Sequence, residues 1–264
     1  MKVGLMGRSK MLADTIQLIN QHPEHEVAFI WTSKAEDYYN CDATEFESLA
    51  QKKGCPYIYA PSVKDITSVP FADVVISVNF VNIIPQFFLD RFEYGVLNAH
   101  AGDLPRYRGN ACPNWAIINN EAHVTLTVHE MSADLDAGPI YTQSEYALSH
   151  NTYISDVYAW LYQEAPLLFM KAIEHIEQGI KPTPQKGRAF RAFPRKPEDA
   201  RLDFSQGIDW NYRLIRASSD PFSGAFCCLE SEDQKVIIRR AEPAALDYDF
   251  CAVDGQLLFC DQAS

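Results

Sequence analysis

The stretch LNAHAGDLPRYRG, residues 97–109, sets an asparagine and a histidine two positions apart at the end of an apolar run, and a turn with two arginines follows at once. Side chains alternate along a strand, so Asn98 and His100 share one side of it. An amide can donate a neutral hydrogen bond to an oxygen that gains negative charge, and an imidazole can donate or carry a proton. The carboxylate that would complete such a set lies in the loop SADLDAG, residues 132–138, with Asp134 and Asp136.

The elements that must position these groups follow from the pattern of the first half. KVGLMG reads as a strand, residues 12–21 as a helix, EVAFIWTS as a strand and residues 43–53 as a second helix. PYIYA, ADVVISVNF and GVLNAH read as further strands, with a short helix over residues 85–91. This alternation predicts an α/β fold with a Rossmann-like, doubly wound, mostly parallel sheet covered on both faces. Ligands of such sheets bind beyond the carboxyl ends of strands, where Asn98 and His100 fall. Gly4 and Gly7 do not make a dinucleotide fingerprint, because the third glycine is missing.

VTLTVHEM and PIYTQSEYAL read as strands around the loop that carries Asp136. His123 and His129 are most simply strand residues. A long helix follows, with Ile154, Val157, Leu161, Ala165, Leu168, Ala172 and Ile176 as its core stripe. Pro166 is expected to kink or break it, and Gly179 to cap its end. KPTPQKGRAFRAFPRKPEDAR then reads as a linker, followed by a short helix over residues 210–217 and an all-β tail. The expected organisation is a catalytic domain over residues 1–180, a basic linker over 181–203 and a small, mostly β domain over 204–264. FSGAFCCL, the turn ESED and KVIIRRA form its hairpin, and QLLFC one more strand. The tail is short for a closed barrel, so it is either incomplete or lacks its last strand.

Charge and composition exclude several classes. The formal charge of −12 over 264 residues opposes general nucleic-acid binding, which phosphate neutralisation dominates. Residues 181–216 carry nine Lys or Arg against four Asp or Glu, leaving about −17 on the rest. That basic stretch is either a solvated linker or a rim that meets an anionic substrate. Seven cysteines without a C-x-x-C spacing argue for reduced thiols in a cytoplasmic protein. No metal site is expected. No apolar run reaches the roughly 20 residues of a spanning helix, and the N-terminus reads as a strand rather than a signal peptide.

LNAHAGDLPRYRGNACPNWAIINNE followed by LTVHEMSADLDAGPIY resembles the formyltransferases that use 10-formyltetrahydrofolate. That family combines Asn-x-His, then Leu-Pro-x-x-Arg-Gly, then Leu-Asp-x-Gly, and all three stand here in order. The resemblance covers residues 1–180 and resumes at ARLDFSQGIDWNYRLIRASSDPFSGAF, similar to the start of the small β domain of larger members. It implies Asn98, His100 and Asp136 as catalytic residues. It also implies folate contacts from the turn Gly102, Asp103, Leu104 and Pro105, from Phe80, Val81 and Ile83, and from Leu135. Arg106, Tyr107, Arg108 and Trp115 are the candidate substrate contacts. Asp134 departs from the family's usual glycine, as GDLP departs from the Ser-Leu-Leu-Pro of the transfer-RNA enzymes.

The chemistry fits those residue types. Formyl transfer to an amine passes through a tetrahedral intermediate with an oxyanion on the former formyl oxygen. Asn98 can donate to that oxygen, worth roughly 3–4 kcal/mol in comparable sites. His100 can donate to the same oxygen or carry a proton to the departing folate nitrogen. Asp136 can take the proton that the attacking amine loses. The amine must first be neutral, at a cost on the order of 1 kcal/mol for a group of pKa about 8 and about 4–5 kcal/mol for a lysine-like one.

Three acceptors compete. Glycinamide ribonucleotide enzymes resemble the first 180 residues but have no β tail. In methionyl-transfer-RNA enzymes the segment after the second strand is a basic loop. Here it is SKAEDYYNCDATEFES, with acids Glu36, Asp37, Asp42, Glu45 and Glu47 against one lysine. Enzymes that formylate nucleotide-linked amino sugars of surface polysaccharides share HAG-x-LP-x-YRG and NWAI, and this acceptor is the one expected. Peptide or antibiotic precursors, formyltetrahydrofolate hydrolysis and a non-catalytic scaffold remain as alternatives, and a homodimer is compatible with the sequence. Hydrolases of that kind resemble a chain with an added N-terminal regulatory domain, which this sequence does not show.

Overall fold

The computed structural model describes residues 1–33, 43–65, 68–80, 82–228, 235–242, 250–252 and 258–259. Val81, Glu36, Asp37, Asp42 and the turn ESED lie outside them. The chain divides into two compact units. The first comprises Met1–Arg108, Thr125–Glu145 and Trp160–Phe190, and the second Gly109–Val124, Tyr146–Ala159 and Arg191–Ser264.

In the first unit β1 (Lys2–Gly7) leads to α1 (Lys10–Gln21), β2 (Glu26–Thr32), α2 (Ala43–Lys53), β3 (Tyr57–Tyr59), β4 (Val74–Val78), α3 (Gln86–Leu89) and β5 (Val96–His100). These elements match the alternation read from the sequence. Val3, Leu5 and Met6 of β1, Phe29, Ile30 and Trp31 of β2 and the whole of β4 are buried. Continuous apolar strands of this kind need cover on both faces. Helix α1 buries Leu12, Ala13, Ile16 and Ile19, one stripe at three- and four-residue spacing.

The chain continues through β6 (Arg108–Gly109), α4 (Cys112–Ile118), β7 (His123–Glu130), β8 (Ile140–Ala147) and α5 (Ile154–Glu177). The sheet order is β3-β2-β1-β4-β5-β7-β8. It is parallel from β3 to β5, and β7 then runs antiparallel to β5. That reversal sets the site, because it pairs Asn98 with His129 and His100 with Thr127.

Helix α5 runs unbroken through Pro166, contrary to a break at that residue. One lost backbone hydrogen bond is outweighed by the burial of Leu161, Ala165, Leu168, Phe169, Ala172 and Ile173 around it. The helix ends as the sequence predicts. The Gly179 amide donates to the Ile176 carbonyl at 3.0 Å and the Ile180 amide to that of His175 at 2.9 Å. This Schellman closure requires the left-handed φ of +70° at Gly179. Beyond it, Thr183 and Ile140 exchange both backbone hydrogen bonds at 2.8 Å, inside the stretch read as linker.

The second unit adds β9 (Arg191–Ala192), α6 (Ile208–Ser218), β10 (Ala225–Cys228), β11 (Lys235–Ile238), β12 (Ala241–Glu242), β13 (Phe250–Ala252) and β14 (Leu258–Phe259). The antiparallel pair β10–β11 is the expected hairpin, and β12-β13-β14 form a small antiparallel sheet. Helices α4 and α6 are tied by the buried Asn114, whose Nδ2 donates to the Ala217 carbonyl at 2.7 Å. Arg216 donates to the Thr152 carbonyl at 2.8 Å. Among the described residues no helix is long and apolar enough to cross a membrane.

A Cβ at Gly179 would meet nothing within 4 Å, so its replacement tests backbone strain alone. Gly179→Ala is expected to lower stability by about 1 kcal/mol in denaturant unfolding. An unchanged midpoint would show that the left-handed cap contributes nothing.

Candidate active site

Strand β5 stops at His100 because the chain turns back on itself. The Gly102 amide donates to the His100 carbonyl at 2.9 Å, and the Gly102 carbonyl accepts from the Leu104 amide at 3.0 Å. A buttress fixes this turn: Gln143 Nε2 donates to Thr127 Oγ1 at 3.0 Å, and Thr127 Oγ1 donates to the Gly102 carbonyl at 2.8 Å. A side chain at Gly102 would overlap both the Tyr107 carbonyl and the His100 ring, so glycine is required here.

His100 is buried and both ring nitrogens face partners. Nε2 stands 2.6 Å from the Tyr107 carbonyl, an acceptor only, so it carries a hydrogen and donates it. Nδ1 then faces Asp136 Oδ2 at 3.5 Å. Asp136 lies on the turn between β7 and β8 with φ of +49°, a left-handed conformation that aspartate tolerates better than most residues. Its side chain is 11% exposed, which keeps its partners in a weakly screened setting.

The turn that holds Asp136 is itself braced. Gln185 Nε2 donates to the carbonyls of Asp136 and Gly138, both at 2.8 Å. Arg108 in turn donates through Nε and Nη2 to Gln185 Oε1, at 3.2 and 2.6 Å. A side chain at Gly138 would strike the Glu130 carbonyl. The Asp134 side chain is exposed, and its carbonyl accepts from Ser132 Oγ at 3.1 Å.

Of the expected set, His100 faces Asp136 directly, whereas Asn98 stands beside His129, whose ring faces the other carboxylate oxygen. The sequence reading missed His129. Its Nε2 is 3.4 Å from Asn98 Nδ2 and 3.7 Å from Asp136 Oδ1, and its Nδ1 is 2.9 Å from the Glu130 carbonyl. Alternation along β7 puts Thr125, Thr127 and His129 on one face, but only the antiparallel register shows that His129 opposes Asn98. Gln185 had no such signal, since it lies 49 residues from Asp136 in a Pro-rich stretch.

The other candidates are placed as follows. Ile83 is 89% exposed and Leu135 50% exposed, apolar side chains offered to solvent. Phe80 packs edge-on against Trp31 at 5.2 Å between ring centroids. Leu104 is buried, and the Pro105 carbonyl accepts from the Phe190 amide at 3.3 Å. Arg106 pairs with Asp103 at 3.6 Å. The Tyr107 ring is buried against Phe190, and it is the Tyr107 carbonyl that reaches the site. Trp115 belongs to the second unit, where its Nε1 donates to the Phe193 carbonyl at 2.8 Å and Arg195 lies over its ring. Among the described residues no group of three or more His, Cys, Asp or Glu side chains is disposed to hold a metal ion.

A family profile described as formyl transferase fits residues 6–173. The chain belongs to the formyl transferase family. A methionyl-tRNA formyltransferase of Cutibacterium acnes is 28% identical over 250 residues, covering 91% of this chain and 79% of that protein. The sugar 3-N-formyltransferase WlaRD, crystallised in the presence of dTDP and 5-N-formyl-THF, has the same fold with a TM-score of 0.72 and 16% identity, covering 100% of this chain and 98% of that one. HypX of Aquifex aeolicus, solved with tetrahydrofolic acid, matches with a TM-score of 0.64 and 20% identity over 91% of this chain. This chain spans only 38% of HypX.

Burial depresses the pKa of His129 to about 4, and the neighbouring His100 and Arg108 oppose its charge further. The Glu130 carbonyl and Asp136 pull the other way and are outweighed. The unfolded chain, with His129 near its ordinary value of 6.5, therefore binds a proton that the folded enzyme refuses between about pH 6.5 and 4. This contribution to stability is full above pH 6.5 and falls as pH drops toward 4, by on the order of 3 kcal/mol. His129→Gln is expected to flatten the loss over this window in denaturant titrations. An identical slope in both proteins would place the proton elsewhere.

Proposed function

We propose that this formyltransferase moves the formyl group of 10-formyltetrahydrofolate to the amine of a nucleotide-linked amino sugar. The observation that supports this reaction is His100 Nδ1 set 3.5 Å from Asp136 Oδ2, with Asn98 two residues before His100 on β5. The amine nitrogen bonds to the formyl carbon, the bond from that carbon to the folate nitrogen breaks, and one proton passes from the amine to the departing nitrogen.

The residues divide this work. Asn98 donates an N–H to the formyl oxygen as it gains negative charge. Asp136 takes the amine's proton, directly or through water. His100 has its Nε2 hydrogen committed to the Tyr107 carbonyl, so Nδ1, beside Asp136, is the nitrogen that can exchange a proton. It returns the proton to the leaving nitrogen. The bound folate supplies the activated one-carbon unit, and the exposed Ile83 and Leu135 offer apolar cover for its ring system, Leu135 directly beside Asp136.

Two features favour an amino-sugar acceptor. The motif HAGDLPRYRGNACPNWAI resembles the form that the sugar enzymes often show, and the acids Glu36, Asp37, Asp42, Glu45 and Glu47 oppose a polyanion in the segment after β2. The fold likeness to WlaRD agrees with this acceptor. Formylation of methionyl-transfer RNA is the second reading, favoured by the 28% identical relative.

A screen of nucleotide-linked amino sugars with the folate donor, read by mass, is expected to find a formyl gain on one of them. Folate turnover without any amine would identify a hydrolase instead. Affinity for a nucleoside diphosphate, which carries only about two to three charges, is expected to vary shallowly with salt. Tight transfer-RNA binding with a steep salt slope, and formylation of methionyl-transfer RNA, would overturn the sugar reading.

A further inference from the structure

We infer that His129 is a positioning residue, whose unprotonated Nε2 accepts an N–H of Asn98 and thereby fixes which end of the Asn98 carboxamide meets the formyl oxygen. The inference rests on the catalytic reading of Asn98 and adds a residue that does not itself touch the reacting atoms.

The register makes the contact unavoidable. Asn98 and His129 are directly opposed on antiparallel β5 and β7, so their side chains rise from the same face, and Asn98 Nδ2 lies 3.4 Å from His129 Nε2. The His129 ring cannot turn away, because its side chain is 2% exposed and its Nδ1 is 2.9 Å from the Glu130 carbonyl. That carbonyl accepts only, so Nδ1 carries the hydrogen. A neutral ring then has a lone pair on Nε2. Burial keeps the ring neutral although Asp136 Oδ1 stands 3.7 Å from Nε2.

A free carboxamide can present either its oxygen or its nitrogen to a ligand, and only the nitrogen stabilises a developing oxyanion. Rotating Asn98 by half a turn would set its oxygen against the Nε2 lone pair, two acceptors without a hydrogen between them. The ring therefore selects one orientation. Asn98 Nδ2 has two hydrogens, and with one given to His129 the second is left for the formyl oxygen. The Glu130 carbonyl fixes the His129 tautomer, the tautomer fixes the Asn98 amide, and the amide faces the chemistry.

Two measurements on the full chain test this. The first is long-range 15N imidazole correlation on the 15N-histidine-labelled enzyme at neutral pH. His129 is expected as a neutral ring protonated on Nδ1, the rarer tautomer in water. Protonation on Nε2, or a charged ring, would overturn the inference whatever the acceptor amine proves to be.

The second is a kinetic cycle using the amino sugar that gains the formyl group. His129→Leu is expected to lower kcat by roughly 10- to 100-fold with KM values within about threefold, and His129→Gln, which keeps an acceptor near the Nε2 position, to recover most of it. With Asn98→Ala already present, His129→Leu is expected to cost less than about twofold more. An equal cost in both backgrounds would overturn the inference. A nearly normal Asn98→Ala enzyme would instead overturn the catalytic reading of Asn98, a different result from a failed cycle. Should His129→Leu not fold, the tautomer measurement decides.

Discussion

Asp136 carries its charge almost out of water, with one carboxylate oxygen 3.5 Å from His100 and the other 3.7 Å from His129. Removing a carboxylate from solvent is costly unless fixed dipoles and hydrogen bonds replace the water. Much of the surrounding architecture reads as the means of holding that arrangement. The left-handed backbone at Asp136, the glycine at 138 and the Gln185 amide that clamps two carbonyls of the same turn act on one short loop. Arg108 extends the brace through Gln185 Oε1, so one arginine of the Leu-Pro-x-x-Arg-Gly motif supports the carboxylate from behind.

The sheet contributes a reversal of direction. Five parallel strands bring the chain to β5, and the antiparallel β7 then lays Thr127 and His129 opposite His100 and Asn98. In a parallel neighbour the ladder would be staggered, without these directly opposed pairs. Asp136 follows on the loop after β7 and faces both histidines, with one carboxylate oxygen toward each. The two histidines consequently differ in use. His100 keeps one nitrogen toward the carboxylate, whereas His129 is locked neutral by burial and by its bond to Glu130.

The α/β alternation was legible because strands buried on both faces are almost purely apolar and their helices carry a 3.6-residue stripe. Asn98, His100 and Asp136 were legible because three short motifs occur in order. His129 was not, since a histidine in a strand has no distinguishing local pattern until its cross-strand partner is known, and that partner follows from the antiparallel register. Gln185 is a stronger case. Nothing in KPTPQKG marks one glutamine, and its role exists only because Thr183 pairs with Ile140 and brings the segment beside the Asp136 turn. Pro166 does not break its helix, because the helix around it is held by tertiary burial rather than by local propensity.

In the proposed reaction Asn98, His100 and Asp136 act as one unit on one reacting carbonyl. The most direct measurement is the rate of formyl transfer by the His100→Ala and Asp136→Asn enzymes and by the double variant. Each single change is expected to cost roughly 100-fold or more, and the double variant little beyond the worse single one, because either loss already disables the shared proton path. Costs that multiply, or a His100→Ala enzyme that turns over near the normal rate, would contradict it.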